Sequence, residues 1–287
     1  MDMRVRKRHL HIFILSALLT VFGVVLFVLI GILMSADIVY GQSKTGVEVS
    51  ECSFCPEIEE FAKKEDEEIR AAEHAEKLAK ATGVVYLTYD DGPGDYTNAL
   101  LDVLKKYDVK ATFFVTSRGA DDVIRREYDE GHTVALHTWS HNYAYVYSSM
   151  ANYFADLQQI SDRVKNITGV ESKLIRFPGG SSNTVSTRYD GRTRIMSKLT
   201  REVEARGYQY FDWNVDSDDA GRANSSDVVY ANVINRLKPG PNVVLQHDIK
   251  PYSVEAVERI IQWCNDNNYV FEPLTSDSPT VHHGVNN

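Results

Sequence analysis

The segment VVYLTYDDGP, from Val84 to Pro93, carries the clearest signal for the fold of this chain. An apolar run leads into two adjacent carboxylates, Asp90 and Asp91, and a Gly-Pro pair then ends the run. This pattern is typical of a buried β-strand with polar groups at its carboxyl end. Because neighbouring residues of a strand point to opposite faces, we expect the two carboxylates to have different roles.

A second polar motif, HTWSH at residues 137–141, begins 44 residues after Pro93 and follows the strand-like run Thr133–Leu136. We expect His137 and His141, spaced i and i+4, to share one face of a helical turn and bind one ion together. With Asp91 they form the two-imidazole, one-carboxylate set of catalytic zinc sites. Alone, the Asp-Asp pair is more typical of a solvated turn and the histidine pair of a surface or core position. Their joint occurrence favours a metal site with Asp90 beside it as a base.

Residues 84–275 alternate between strand-like and helix-like segments, which predicts an α/β domain with a parallel sheet covered by helices. Further strands are predicted at Val109–Val115, Leu174–Phe177, Tyr208–Val215, Val243–Gln246 and Tyr269–Phe271. Helices are predicted at Asn98–Tyr107, Asp121–Glu130, Met150–Ile167, Arg194–Arg206, Ser226–Leu237 and Ser253–Asn267. Periodicity leaves open whether the sheet closes into a barrel. Ligands bind at the carboxyl ends of such strands, where the sequence places Asp90-Asp91, His137, Arg176, Asp216–Asp219 and His247-Asp248.

Residues 1–35 are expected to form a membrane anchor. Four basic residues between Arg4 and Arg8 precede an uncharged stretch from Leu10 to Met34, which is long enough to cross a bilayer. A signal peptide cleaved near Ser35 is the alternative. The basic flank predicts a cytoplasmic N-terminus in a single-pass protein, with the catalytic domain outside the cell.

Residues 36–83 are predicted to be a linker and an acidic helix, Pro56–Thr82, that acts as a stalk or binds a partner. A local disulfide between Cys52 and Cys55 is the simplest interpretation of that pair, and Cys264 is expected to be a buried thiol. Residues 276–287 are a C-terminal tail. The formal net charge is −9, and the lack of a basic stripe argues against a nucleic-acid partner.

Four motifs occur in the order seen in the polysaccharide deacetylases, carbohydrate esterase family 4, which the chain resembles from Val84 to Pro273. They are TYDDGP at 88–93, HTWSH at 137–141, RFP at 176–178 and LQH at 245–247. The resemblance implies a distorted parallel (β/α) barrel. It also implies one divalent metal, commonly zinc, bound by Asp91, His137 and His141. Cobalt, manganese or nickel would also suit these ligands.

The same resemblance assigns the other catalytic roles. It makes Asp90 the general base, paired with Arg176, and His247 the general acid, held by Asp219. The main-chain N–H of Gly179 is the expected oxyanion donor. Asp216 and Asp248 are at least as consistent with a turn or capping role as with a catalytic role.

Two positions depart from the family pattern. Gly179-Gly180 follows Pro178 where the family has an aromatic residue, and Ala220 follows Asp219 where the family has tryptophan. We therefore expect a substrate wall that is more open or differently built. The predicted substrate-binding residues are Gly179, Trp139, Trp213 and Leu245.

An outward-facing anchored deacetylase is expected to act on a cell-surface polysaccharide, most simply on N-acetylglucosamine residues of peptidoglycan. The alternatives are N-acetylmuramic acid, a chitin-like oligomer, another surface polysaccharide or an O-acetylated xylan. A non-catalytic glycan-binding protein, and an envelope-assembly protein working through the acidic helix, are hypotheses from other classes. The presence of Asp90, Asp91, His137, His141 and His247 argues against a catalytically dead protein.

Overall fold

The computed structural model describes residues 55–287, with side chains from residue 60 onward. Residues 66–287 form one compact unit, and the described residues before it, 55–65, lie in the first helix. The predicted anchor, the linker and the Cys52–Cys55 pairing lie outside the residues whose side chains are described. Between residues 55 and 287, no helix has the length and apolar character needed to cross a bilayer.

The helices and strands alternate as the sequence predicts. The strands are β1 (Gly83–Asp90), β2 (Thr112–Val115), β3 (Thr133–Leu136), β4 (Leu174–Ile175), β5 (Gln209–Tyr210), β6 (Val215–Asp216), β7 (Gly240–His247) and β8 (Tyr269–Phe271). The helices are α1 (Cys55–Lys80), α2 (Thr97–Lys106), α3 (Asp121–Asp129), α4 (Tyr143–Val146), α5 (Met150–Thr168), α6 (Ile195–Ala205), α7 (Ser226–Ile234) and α8 (Pro251–Asp266), with a short 3-10 turn at Val185–Arg188.

The sheet is parallel throughout, with the strand order β5-β4-β3-β2-β1-β7-β6, and β8 pairs with the start of β1. This arrangement confirms the predicted α/β class and forms an incomplete barrel. Within residues 55–287 the path is open between β5 and β6, because these two short strands do not pair with each other. The central strand β1 pairs with β2 and β7 along its carboxyl half, so the residues that follow it lie at the middle of the sheet edge.

Strand β1 is buried on both faces, which explains its nearly continuous apolar sequence. Val85, Leu87 and Tyr89 face the main core beneath the helices. Tyr86 points the other way, into a smaller cluster that fills the barrel interior and includes the fully buried Leu274. Cys264 is a buried free thiol in α8, as predicted.

The prediction of one strand from Tyr208 to Val215 is wrong, because the chain bends between β5 and β6. The buried Arg176 donates to the main-chain oxygens of Phe211 (2.9 Å) and Asp212 (3.1 Å), and these oxygens are therefore not available to a neighbouring strand. The Asp212 carboxylate accepts the main-chain N–H of Ser181 at 2.7 Å and that of His283 at 2.8 Å. Contacts distant in sequence therefore determine this bend.

The predicted C-terminal tail packs along the domain. We call residues 281–287 the C-terminal strap. The main-chain oxygen of Val281 accepts the N–H of Asp212 at 2.8 Å. At the other end of the strap, the main-chain oxygen of Asn287 accepts the N–H of Ser197 at 2.7 Å, at the start of α6. The strap thereby joins the bend between β5 and β6 to α6.

Candidate active site

The three predicted metal ligands come together at the carboxyl end of the sheet. Donor atoms of Asp91, His137 and His141 all lie within 4.8 Å of one another. Strand β1 ends at Asp90, and Asp91 adopts a left-handed conformation with φ of 75°. The expectation that Asp90 and Asp91 point to opposite faces is therefore wrong, because this turn brings both carboxylates to the same cavity.

The two imidazoles present their Nε2 atoms to the Asp91 carboxylate. Nδ1 of His137 lies 2.8 Å from the main-chain oxygen of Arg176, which can only accept, so Nδ1 carries the proton. Nε2 of His137 and Nε2 of His141 lie 3.6 Å and 3.2 Å from Oδ1 of Asp91. That oxygen is buried and has no hydrogen-bond donor among the described residues. Two imidazole nitrogens facing an unpartnered carboxylate oxygen fit a divalent cation.

The protonation state of His141 also suits a ligand. Burial is the largest of the causes that lower the pKa of His141 to about 4. Its imidazole is therefore neutral at pH 7, as metal binding requires.

The motif 137–141 is an irregular loop, and the predicted helical turn is wrong. Thr138 and His141 have φ angles of 71° and 50°, which no α-helix contains. The buried carboxylate of Asp156, on α5, accepts the main-chain N–H groups of Trp139 (2.6 Å) and Ser140 (3.0 Å). The spacing of the two histidines is thus correct for one ion, but Asp156 shapes the loop. Sequence analysis did not identify Asp156, because a lone aspartate in a helix gives no local signal.

The predicted general base is held by a buried guanidinium. Arg176 is fully buried and donates to Oδ1 of Asp90 and to Oγ1 of Thr88, both at 2.7 Å. The second oxygen of Asp90 lies 3.7 Å from Nε2 of His137, so it faces the metal ligands. Arg176 therefore orients one carboxylate oxygen of Asp90 and leaves the other directed at the reaction centre.

The predicted general acid lies directly across from the base. Asp90 and His247 are register partners on the neighbouring strands β1 and β7. Oδ1 of Asp219 lies 2.7 Å from Nδ1 of His247, and Oδ2 accepts the main-chain N–H of His247 at 2.7 Å. Burial alone would lower the pKa of His247. The hydrogen bond and charge of Asp219, with the charges of Asp90 and Asp91, outweigh burial and raise the pKa to about 9. His247 is therefore a charged proton donor at neutral pH.

One cavity of about 390 Å³ contains these groups. Besides the ligands, Asp90 and His247, it is lined by Tyr143, Gly179, Trp213, Asp216, Asp218, Ala220, Gly221 and Leu245. Trp139 instead lines a separate cavity with Asp121 and Arg163. The structure thus places three of the four predicted substrate-binding residues in the cavity wall, and Trp139 elsewhere.

Tyr143 is a wall residue that sequence analysis missed. Its ring packs edge-on against His141, with the centroids 5.4 Å apart, and burial raises its pKa to about 12. A side chain at Gly179 would meet the Tyr143 hydroxyl. The glycine that stands where the family has an aromatic residue therefore leaves room for the ring of Tyr143, at the start of α4. The only available signal was an aromatic residue two positions after His141.

Three side chains that could hold a divalent cation, with a buried carboxylate and a charged imidazole in the same cavity, are the groups that a metal-dependent hydrolase needs. Comparisons with known proteins narrow this class. The polysaccharide deacetylase family model matches residues 77–195. A peptidoglycan-N-acetylglucosamine deacetylase of Bacillus cereus is 35% identical over 208 residues, covering 69% of this chain and 72% of that protein.

Solved structures agree with this match. The catalytic domain of a peptidoglycan N-acetylglucosamine deacetylase from Eubacterium rectale is 51% identical, with a TM-score of 0.68, over 71% of this chain and 94% of that one. A polysaccharide deacetylase from Bacillus cereus is 34% identical, with a TM-score of 0.61, over 70% of this chain and 96% of that one. The chain belongs to the polysaccharide deacetylase family, whose members are hydrolytic, metal-dependent deacetylases.

Proposed function

We propose that this enzyme removes N-acetyl groups from N-acetylglucosamine residues of peptidoglycan. The observation that carries the proposal is the arrangement of two buried pairs, Asp90 with Arg176 and His247 with Asp219, around three metal ligands in one cavity. The substrate is supported by similarity to proteins named peptidoglycan N-acetylglucosamine deacetylases.

A divalent cation held by Asp91, His137 and His141 would polarise the acetamide carbonyl and make a water molecule acidic. The free oxygen of Asp90 accepts the proton of the attacking water, and Arg176 keeps that carboxylate in place. His247 donates its Nε2 proton to the departing sugar nitrogen as the carbon–nitrogen bond breaks. The products are acetate and a sugar amine. The oxygen of the water molecule forms the new bond to the carbonyl carbon.

Gly179 is the proposed donor to the carbonyl oxygen. It lines the cavity with φ of 75°, and among residues 55–287 its main-chain N–H has no hydrogen-bond acceptor. A donor of this kind stabilises the negative charge that develops on the carbonyl oxygen in the transition state.

Zinc is the metal that we propose for the site, because two imidazoles and one carboxylate are typical catalytic zinc ligands. Cobalt, manganese and nickel are the competing ions, since such a site discriminates among them only modestly. Two measurements test this assignment. The first is the metal content of the purified protein, and the second is acetate release after the metal has been removed by a chelator and each ion has been added back.

The location that we propose is the outer face of the cell membrane. The support is the basic segment Arg4–Arg8 followed by the uncharged stretch Leu10–Met34, in a chain with a polysaccharide substrate. Fractionation of cells expressing the full chain tests it. Recovery in the membrane pellet, with the catalytic domain cleaved by external protease, is expected, and recovery in the cytosol would contradict it.

The decisive experiment for the activity is acetate release by the full chain from N-acetylglucosamine oligomers, purified peptidoglycan and O-acetylated xylan. Asp90→Asn and His247→Ala are expected to lower kcat at least about 100-fold, the usual contribution of a general base or acid. Asp227→Asn, at an exposed position on α7, is the matched control. Metal-loaded protein that binds glycan without releasing acetate from any substrate would favour a glycan-binding function instead.

A further inference from the structure

The C-terminal strap contacts both segments that form the substrate side of the cavity. The side-chain amides of Asn286 and Asn287 donate to the main-chain oxygens of Ser182 and Asn183, at 2.8 Å and 2.9 Å. These residues follow Gly179 in the loop that lines the cavity. On the other segment, Asp212 accepts from the main-chain N–H of His283 at 2.8 Å. Residue 212 immediately precedes the wall residue Trp213.

The imidazole of His283 links the two segments directly. Its Nε2 lies 2.6 Å from the main-chain oxygen of Trp213, which can only accept, so Nε2 carries the proton. Its Nδ1 lies 3.1 Å from Oγ of Ser182, within hydrogen-bond distance. The ring also packs edge-on against the Trp213 indole, with centroids 4.7 Å apart and an interplanar angle of 76°. One side chain therefore fixes both the backbone and the ring of Trp213.

The remaining contacts of Trp213 leave few positions for its indole. A side chain at Gly180 would approach the Trp213 ring to 3.0 Å, so the indole lies directly against the glycine backbone. Indole Nε1 donates to Oδ2 of Asp216 at 3.2 Å. Apart from the three histidines, Trp213 and Tyr143 are the aromatic side chains among the described residues that line the cavity, and Ala220 and Gly221 contribute no ring. The placement of the apolar wall thus depends strongly on Trp213.

We propose that His283 is a positioning residue that sets Trp213 against the sugar whose acetyl group is removed, and so determines affinity for the N-acetylhexosamine. This inference rests on the proposed function. Aromatic rings form the apolar walls of ligand cavities, and their contribution depends on being fixed before the ligand arrives. His283 lies outside the reacting groups, so its loss affects substrate affinity more than the chemical step.

The kinetic test compares His283→Ala with His283→Gln in the full chain, using N-acetylglucosamine oligomers. Loss of the Nε2 hydrogen bond is expected to raise KM about five- to tenfold in His283→Ala, with kcat within about twofold of the wild type. A glutamine amide can still donate to the Trp213 oxygen, so His283→Gln is expected to keep KM within about twofold. Val285→Ala, an exposed change in the same strap, is the matched control. An unchanged KM in His283→Ala, or an equal fall in kcat and kcat/KM, would overturn the proposal.

A substrate-independent readout separates this proposal from the proposed function. The indole N–H resonance of Trp213, assigned with Trp213→Phe, is expected to shift or broaden in His283→Ala and to stay in place in Val285→Ala. If the wild type releases no acetate, the deacetylase function fails, and the positioning of Trp213 is decided by this resonance alone. A resonance that does not move would overturn the role of His283.

Discussion

At the scale of single residues, the proposed proton donor, His247, depends on one neighbour. Asp219 supplies the hydrogen bond and the largest single charge effect among those that raise the pKa of His247 to about 9. Asp219→Asn removes that charge, so the pKa of His247 is expected to fall. The alkaline limb of kcat/KM then moves to lower pH, and activity at pH 8 falls about tenfold or more. A pH–rate profile from pH 5 to 10 measures this, and an unmoved alkaline limb would contradict the assignment of His247.

The same pair makes stability depend on pH. The folded-state pKa of His247 lies above its ordinary value of 6.5 and that of Asp219 lies below its ordinary value of 3.8, so the pair stabilises the fold fully between these two pH values. This contribution disappears as pH rises through about 9. Urea unfolding of metal-free Asp219→Asn should therefore show a weaker loss of stability between pH 6.5 and about 9 than the wild type. Equal slopes for the two proteins would mean that another group titrates there.

Gly92 is required because its neighbour leaves no space for a side chain. A Cβ at this position would overlap the carboxyl group of Asp248, which is fully buried and accepts from the hydroxyl of Thr97. Gly92→Ala is expected to displace the adjacent ligand Asp91 and lower metal affinity at least about tenfold. Metal titration against a chromophoric chelator measures it. Gly284→Ala, where a Cβ would meet open space, is the control, and equal affinities in the two variants would refute the argument.

Several site residues could be predicted from the sequence because they follow strand ends in recognisable motifs. Asp90, Asp91, His137, His141, Arg176 and His247 belong to this group, and the structure brings all of them to one edge of the sheet. Asp156, Tyr143 and His283 could not be identified this way, because each acts through a tertiary contact. Trp139 lies in a motif but faces another cavity, because the loop turns it away from the ligands.

At the scale of secondary-structure elements, helix α5 holds the loop between the two histidine ligands. Asp156→Ala removes the acceptor of two main-chain N–H groups, whereas Asp156→Asn retains the Oδ1 acceptor. We expect metal affinity to fall about 10- to 100-fold in the alanine variant and only a few-fold in the asparagine variant. Chelator competition measures both. Equal losses in the two variants would show that the negative charge, not the acceptor, is what matters.

The ends of helices with long apolar periodicity, such as α5 and α8, were predicted to within about two residues. The spacing of their apolar residues along the local sequence defines the face that packs against the core. The segment from Tyr208 to Val215 was not predicted correctly. Its apolar composition suits a strand, but hydrogen bonds with Arg176, Ser181 and His283 bend it. Local propensity decides an element only where no buried polar contact competes with it.

At the scale of the whole molecule, the end of the chain completes the barrel interior. Leu274 is fully buried in the inner cluster with Tyr86, Phe114 and Phe211. Leu274→Ala is expected to lower the free energy of unfolding by about 2–5 kcal/mol, through the lost apolar contact and the cavity left behind. Urea denaturation measures it. The exposed change Val285→Ala should cost less than about 0.5 kcal/mol, and a similarly small loss at Leu274 would mean that the interior does not need this segment.

The opening between β5 and β6 lies beside the segment that carries Trp213, away from the strands that lead to Asp91 and His137. The metal ligands follow β1 and β3, which are paired with neighbours on both sides, whereas Trp213 lies at the unpaired gap under the strap. Segments with fewer main-chain hydrogen bonds exchange their amide protons through local openings that require less free energy. Under the proposed role of His283, substitutions in the strap are expected to change which glycan is accepted while the reacting groups keep their geometry, so that substrate preference can evolve separately from the chemical step.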